Sequence, residues 1–288
     1  MKLMNSLVMA ATAALVLGIS GCSTSDDSSD GDSGSGGTSG VLTLPAKVIA
    51  TPQEAKNASA VGSSTDGLQG MSDGGSQSAM LSRSIQRAMS TKAPESETCT
   101  DGGTTVYDMN EVSGTGKIEF KNCKEDGATT NGTIIFEPKK IVVDISTVVS
   151  GNSESMTMKY TMIESISGVY TVSTIDGSMK GSDSKGSFEL GYQALQVAEE
   201  TAGEKFKIDG KISVKSEEDP CVNGGYTFKT LEPMVDDHQT GATSSGKVDV
   251  NGVKYTFYVD NSGNGKITVE FANGNTTTIN QNEEVICN

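Results

Sequence analysis

From Gly116 onward the chain alternates apolar and polar residues with a period of two, the signature of strands buried on one face. Met156, Met158, Tyr160 and Met162 share one face while Thr157, Lys159 and Thr161 take the other. Phe206, Ile208, Ile212 and Val214 oppose Lys207, Asp209, Lys211 and Ser213, and Val253, Tyr255, Phe257 and Val259 oppose Lys254, Thr256 and Tyr258. With further strand-like stretches at 140–149, 169–175, 188–195, 225–231 and 267–271, the pattern predicts about ten to twelve strands. The links between them are short and rich in Gly, Asn, Asp and Ser, and a parallel crossover needs about a dozen residues, so neighbours must be antiparallel.

Ahead of this region the period changes. Residues 77–89 place Met80, Leu81, Ile85, Ala88 and Met89 at helical spacing, with Arg83, Gln86 and Arg87 elsewhere on the wheel. This predicts one short helix packed on the sheet, or lying as a lid over an apolar groove, since Met side chains adapt to varied ligands. Residues 41–50, with Leu42, Leu44, Val48 and Ile49, read as an edge strand or an extended run along the sheet. Residues 57–75 read as loose.

Composition sharpens the fold class. The chain has no Trp, 5% aromatic residues and 34 Gly, so its core must be thin and its turns many. The prediction is a mainly β protein: a large curled antiparallel meander sheet, a half-barrel or a barrel, carrying one short N-terminal helix.

The N-terminus carries a separate signal. Met1-Lys2 supplies a positive start, and residues 3–18 are apolar apart from Asn5, Ser6 and Thr12, a length that suits a secretory leader and falls short of a membrane span. Ile19-Ser20-Gly21-Cys22 closes it. An aliphatic residue, two small residues and Cys resemble the lipobox of the bacterial lipoprotein class, and the resemblance covers these first 22 residues alone. It implies removal of residues 1–21, a thioether-linked diacylglycerol on Cys22 and attachment to a lipid bilayer. With Ser23 rather than Asp behind the Cys, it also implies an outer-membrane address in the cell envelope, facing the periplasm or the surface. Residues 23–40 contain only Ser, Thr, Asp and Gly, which bury no apolar surface and are expected to act as a disordered tether. Such a coil averages roughly 23 Å end to end and reaches about 60 Å at full stretch. The expected organisation is thus leader (1–21), lipidated Cys and tether (22–40), extension (41–98) and disulfide-bearing β domain (99–288). Loss of Lys2 with the leader takes the formal charge from −15 to −16, which argues against nucleic acid as a partner.

Taking Cys22 for lipid leaves Cys99, Cys123, Cys221 and Cys287, which an oxidising compartment allows to pair in three ways. The pairing Cys99 with Cys123 and Cys221 with Cys287 is favoured because each pair brackets a segment of alternating apolar residues. A zinc site finds little support, with no Cys-x-x-Cys and one His. Cys99-Thr-Asp-Gly-Gly is echoed by Cys221-Val-Asn-Gly-Gly, and Ser113-Gly-Thr-Gly-Lys-Ile by Ser262-Gly-Asn-Gly-Lys-Ile. An ancestral duplication and independent selection of turn residues both explain these echoes.

Catalytic signals are sparse. His238 lies in a polar stretch after Asp236 and Asp237, and no nucleophile elbow, phosphate-cradling loop or dinucleotide fingerprint occurs. Glu199 with Glu200, and Glu217 with Glu218, read as surface charge because adjacent strand residues point oppositely. Asp260, Ser262 and Asn264 resemble the start of a calcium loop, but Phe271 stands where a bidentate Glu belongs and strands flank it, which favours a hairpin turn. No cofactor beyond the covalent lipid is expected. The leading expectation is a non-catalytic binding or structural module meeting an envelope protein or glycan. A half-barrel carrier of apolar lipid is the alternative, and a carboxylate-based hydrolase has the least support. Radioactive palmitate fed to the producing bacterium should label the protein, and Cys22→Ala should abolish the label and release the chain from membranes.

Overall fold

The computed structural model describes residues 41–66, 95–110, 113–125, 127–151, 154–201, 205–237, 242–281 and 287. The predicted helix at 77–89, Cys22 with its leader and tether, and His238 lie outside the described residues.

One antiparallel sheet accounts for nearly all of the described chain. Its strands are β1 (Glu95–Thr98), β2 (Thr104–Asn110), β3 (Thr115–Glu125), β4 (Ala128–Glu137), β5 (Lys140–Val149), β6 (Ser155–Ser167) and β7 (Tyr170–Ser182), followed by β8 (Ser187–Glu200), β9 (Lys205–Ser216), β10 (Gly224–Asp237), β11 (Ala242–Val250), β12 (Val253–Val259), β13 (Gly265–Glu270) and β14 (Thr276–Asn280). Each pairs with its neighbour in sequence, so fourteen strands form an uninterrupted meander that curls without closing. The expected count of ten to twelve fell short because β1 and β14 are polar edge strands without alternation, invisible to a period-two search.

Burial follows the predicted faces. On β6, Met158, Tyr160 and Met162 are buried, and on β5, Ile141, Val143 and Ile145 stand beside them across the ladder. The inner faces of all strands from β2 to β14 merge into one apolar core. Burying each such side chain contributes about 1.5–3 kcal/mol. The outer face carries cross-strand charge pairs instead, such as Lys159 with Asp144 at 3.0 Å and Lys254 with Glu270 at 2.8 Å.

The curl has a repeated local cause. Three Asx-Gly pairs stand inside strands rather than at hairpin ends, and each serves a bulge next door. Asn131 Oδ1 accepts from Asn122 N–H at 2.8 Å, Asp176 Oδ1 from Ala194 N–H at 2.7 Å, and Asp209 Oδ1 from Thr230 N–H at 2.9 Å. Each recipient lies where the register slips: between Phe120 and Cys123, Gln193 and Gln196, and Thr227 and Met234. A bulge leaves an amide without a ladder partner and increases the local twist; the neighbouring Asx side chain satisfies that amide. The glycine after it lets the strands come together. Gly177 has φ +145° and Gly210 φ +125°, and a Cβ on either would strike backbone of the adjoining strand, at Lys159–Tyr160 and Ala194–Leu195 respectively.

Both favoured cysteine pairs stand at disulfide distance, with Cα separations of 5.4 Å for Cys99–Cys123 and 5.3 Å for Cys221–Cys287. The first closes a span of 24 residues at one end of the sheet, and the second spans 66 residues, from the 3-10 turn Pro220–Val222 to the far terminus. Loop-closure entropy assigns them about 3.4 and about 4.4 kcal/mol. The sequence echoes are local turn chemistry: Cys123 lies two strands after Cys99, whereas five strands separate Cys221 from Cys287. Likewise Ser113-Gly114 joins the second strand to the third, and Ser262-Gly263 joins the twelfth to the thirteenth.

Gly177→Ala should destabilise the domain by about 1–3 kcal/mol more than Gly252→Ala in chemical denaturation. Both glycines have positive φ, but a Cβ on Gly252 meets nothing within 4 Å.

Candidate functional site

The described cavity forms where the N-terminal extension meets the inner face of the sheet. Residues 41–50 form an extended run along the sheet that crosses its strands. The carbonyl of Leu42 abuts Gly191 on β8 and that of Leu44 abuts Gly225 on β10, and Leu44 N–H donates to Ser213 Oγ of β9 at 3.2 Å. Gly191 and Ser213 alternate with Leu190, Tyr192, Ile212 and Val214, which are buried inside, so this stretch crosses the outer face. At Ala46 it enters the plane of the sheet: Gly225 N–H donates to Pro45 O at 2.7 Å, Lys47 N–H to Gly225 O at 2.9 Å, and Asn251 Nδ2 of the β11–β12 turn to Lys47 O at 2.9 Å.

Beyond this rim the chain turns inward as a helix, α1 (Pro52–Asp66). Residues from 57 onward, read from the sequence as loose, are therefore helical to Asp66. The amphipathic signal is weak because the inward residues are small: Ala55, Ala58 and Val61. The legible signal was the start. Thr51-Pro52-Gln53-Glu54 forms a capping box, in which Glu54 N–H donates to Thr51 Oγ1 at 3.2 Å and Thr51 N–H to Glu54 Oε2 at 2.9 Å. Ala50 N–H donates to the same carboxylate at 2.9 Å, and this hydrogen bond leads the causes holding Glu54 below the usual carboxylate range.

Two side chains moor the helix. Tyr255 Oη of β12 donates to Ala55 O at 3.2 Å, and buried Asn57 donates through Nδ2 to Cys221 Sγ at 3.2 Å, beside the disulfide. Beneath Ala58 and Ser59 a cavity of about 40 Å³ remains, walled by Phe206 and Ile208 of β9, Phe228 and Met234 of β10, Val248 and Val250 of β11, and Tyr255 and Phe257 of β12. Ser59 and Thr243 complete the lining. The helix described over this space is α1; the segment 77–89, expected to pack on the sheet or to lie as a lid over an apolar groove, is outside the described residues.

The other candidates resolve into structure. The Asp260 carboxylate accepts from Ser262 N–H at 2.8 Å, Asn264 N–H at 2.9 Å and Asn264 Nδ2 at 3.4 Å, and Lys266 Nζ stands 3.9 Å away. These contacts, led by the Asn264 amide, hold its carboxyl below its ordinary range and build the β12–β13 hairpin turn. The Asp260 carboxylate thus serves the turn's own amides, as the hairpin reading expects, and the Lys266 ammonium beside it makes the loop less hospitable to a second cation. Among the described residues, Cys99, Cys123 and Glu125 have the spacing of metal ligands, but a disulfide consumes both sulfurs, which also removes the zinc reading. Glu217 accepts from Ser187 N–H at 2.6 Å, and Glu218 pairs with Lys185 at 3.2 Å. Neither stands as an acid–base couple.

Burial raises the phenols of Tyr160, Tyr192, Tyr226 and Tyr255 well above their ordinary 10.0. The unfolded chain then sheds these protons at lower pH than the folded one. Stability is fully present below pH 10 and falls as pH rises beyond it. In a spectrophotometric titration of the folded protein, at least these four tyrosines should stay neutral to pH 11 and ionise only with unfolding. No protein-family model, curated protein or solved structure matches this chain.

Proposed function

We propose that this protein is a bacterial envelope lipoprotein, held in the outer membrane by a diacylglycerol on Cys22, whose β domain is a non-catalytic binding module for an envelope protein or glycan. The anchor reading rests on the leader and on Ile19-Ser20-Gly21-Cys22. Among the described residues no helix is long and apolar enough to cross a membrane.

The size of the space under α1 carries the choice of a module over a carrier. A lipid carrier needs room for acyl chains, and even benzene is held by a cavity of roughly 150 Å³. Here the sheet fills its own concavity with Phe, Tyr, Met and aliphatic side chains and leaves about 40 Å³. That room suits one small apolar group, such as a side chain of a partner seated as an anchor in a pocket.

Native mass spectrometry of the protein purified from its host should show the polypeptide with its covalent lipid and no other apolar passenger. Crosslinking in cells should recover one dominant envelope partner. Free lipid retained at one copy per chain would replace the module with the carrier, and a profile without any dominant partner would remove the module.

A further inference from the structure

Among the described residues seven large hydrophobic side chains are exposed; Val48, Val148 and Leu231 stand apart, and three lie together. Ile163, Ile166 and Val169 are 47%, 65% and 57% exposed, and all three lie within the end of the β6–β7 hairpin. Ile166 is one rung from the tip, opposite Thr171, and Ile163 is opposite Thr174. On the outer face, Ile135 of β4 is 37% exposed and lies opposite Val142, so it extends the same apolar end. On the β5 side the hairpin projects: β5 begins at Lys140, level with Ile163, Glu164 is still level with Lys139 of the β4–β5 turn, and 165–168 stand beyond it. On the β8 side the neighbouring chain keeps level with the tip, where Thr201 N–H donates to Val169 O at 2.8 Å.

The flanks are chemically distinct. Tyr170 stands just behind the tip with Lys207 Nζ 4.1 Å from its ring centroid, and exposed Lys139 lies at the base, its carbonyl accepting from Glu164 N–H at 2.7 Å. Aliphatic residues at a tip, with Tyr and Lys behind them, match the layering of a bilayer interface. Opposite Tyr170 and Thr171 are Glu200 and Glu199 of β8. They limit entry to the tip itself and disfavour anionic headgroups.

We propose that the end of the β6–β7 hairpin, led by Ile166 and Val169, dips into the lipid surface of the same bilayer that holds Cys22. The inference rests on the anchor reading above, and the tether length admits it. Leu42 lies over Gly191, whose ladder partner Ser178 faces Lys159 on β6; nine residues separate Lys159 from Gly168, about 30 Å along the strand. The 18 residues between Cys22 and Val41 reach about 60 Å at full stretch, enough to span that distance. Tethering also supplies an effective concentration in the millimolar range, so a tip too weak to hold the domain alone still engages. The occupant is thus a zwitterionic lipid interface rather than an anionic one, given a formal charge of −16 after processing.

The absence of Trp makes the test direct. Two full-length lipidated variants, Val169→Trp and Val148→Trp, are reconstituted into zwitterionic phosphatidylcholine vesicles containing brominated phosphatidylcholine. Val148 is 51% exposed but lies near the opposite end of the sheet, level with Ser155 and about 40 Å from the tip. Both proteins should float with the vesicles; bromine should quench the residue-169 fluorescence at least twofold and leave the residue-148 fluorescence unchanged. Adding Ile166→Asp to Val169→Trp should restore the emission, and a fifth of anionic phosphatidylglycerol should weaken the quenching. Flotation without quenching at position 169, with the indole open to aqueous iodide, overturns the tip contact while leaving the anchor intact, and is the result a protein-binding hairpin gives. Equal quenching at both positions also overturns it. Failure to float, together with absence of palmitate label, instead removes the anchor.

Discussion

An open sheet hides its apolar face under a second layer or by bending over itself, and here, with α1 covering only one part, the bend governs the described molecule. Fourteen antiparallel strands with one greasy face would otherwise present a broad hydrophobic surface to water. Right-handed twist supplies part of the bend. The rest comes from bulges, and a bulge is stable only where its spare amide has an acceptor. Asn131, Asp176 and Asp209 provide those acceptors, and Gly132, Gly177 and Gly210 after them admit the strands to close approach. On the sheet from β7 to β10 these devices adjoin: Asp176 serves Ala194, Gly210 packs on the Ala194 carbonyl, and Asp209 serves Thr230. The curl is therefore built from short-range hydrogen bonds placed in line across neighbouring strands.

The extension works against the same surface from both sides. Residues 42–44 lie on the outer face over positions that lack bulk, Gly191, Ser213 and Gly225, and α1 lies on the inner face over Phe206, Phe228 and Tyr255. Between them Ala46 bridges to Gly225 beneath the β11–β12 turn. Small residues on α1 let it sit close to large ones on the sheet, but they fill the concavity incompletely, which is why the cavity lies there. The Cys221–Cys287 bond and Asn57 join the helix, the 3-10 turn and the C-terminal end into one corner.

Much of this was readable in one dimension. Faces of β5, β6, β9 and β12 follow from alternation, because the two sides of a strand meet different solvents. Antiparallel order follows from the short links, and the segments that the cysteines bracket favour the pairing found among three. The site was less readable. Its walls follow from alternation as inward-facing residues, but the helix over them carries a weak amphipathic signal because its inward residues are Ala55, Ala58 and Val61. The capping box at Thr51 to Glu54 was the available signal for α1, and it is independent of amphipathicity.

By itself, then, the amino-acid order determined the fold class and the inward face of the principal strands, since each depends on spacing within a few residues or on local solubility; it favoured one of three cysteine pairings without fixing it. Only the tertiary structure decided that three Asx-Gly pairs lie inside strands as supports for bulges, that the extension crosses the sheet and passes its rim, and that apolar side chains gather on one hairpin end. Those features depend on which strand lies alongside, and a neighbour supplied by pairing leaves no periodic trace in the residues that await it.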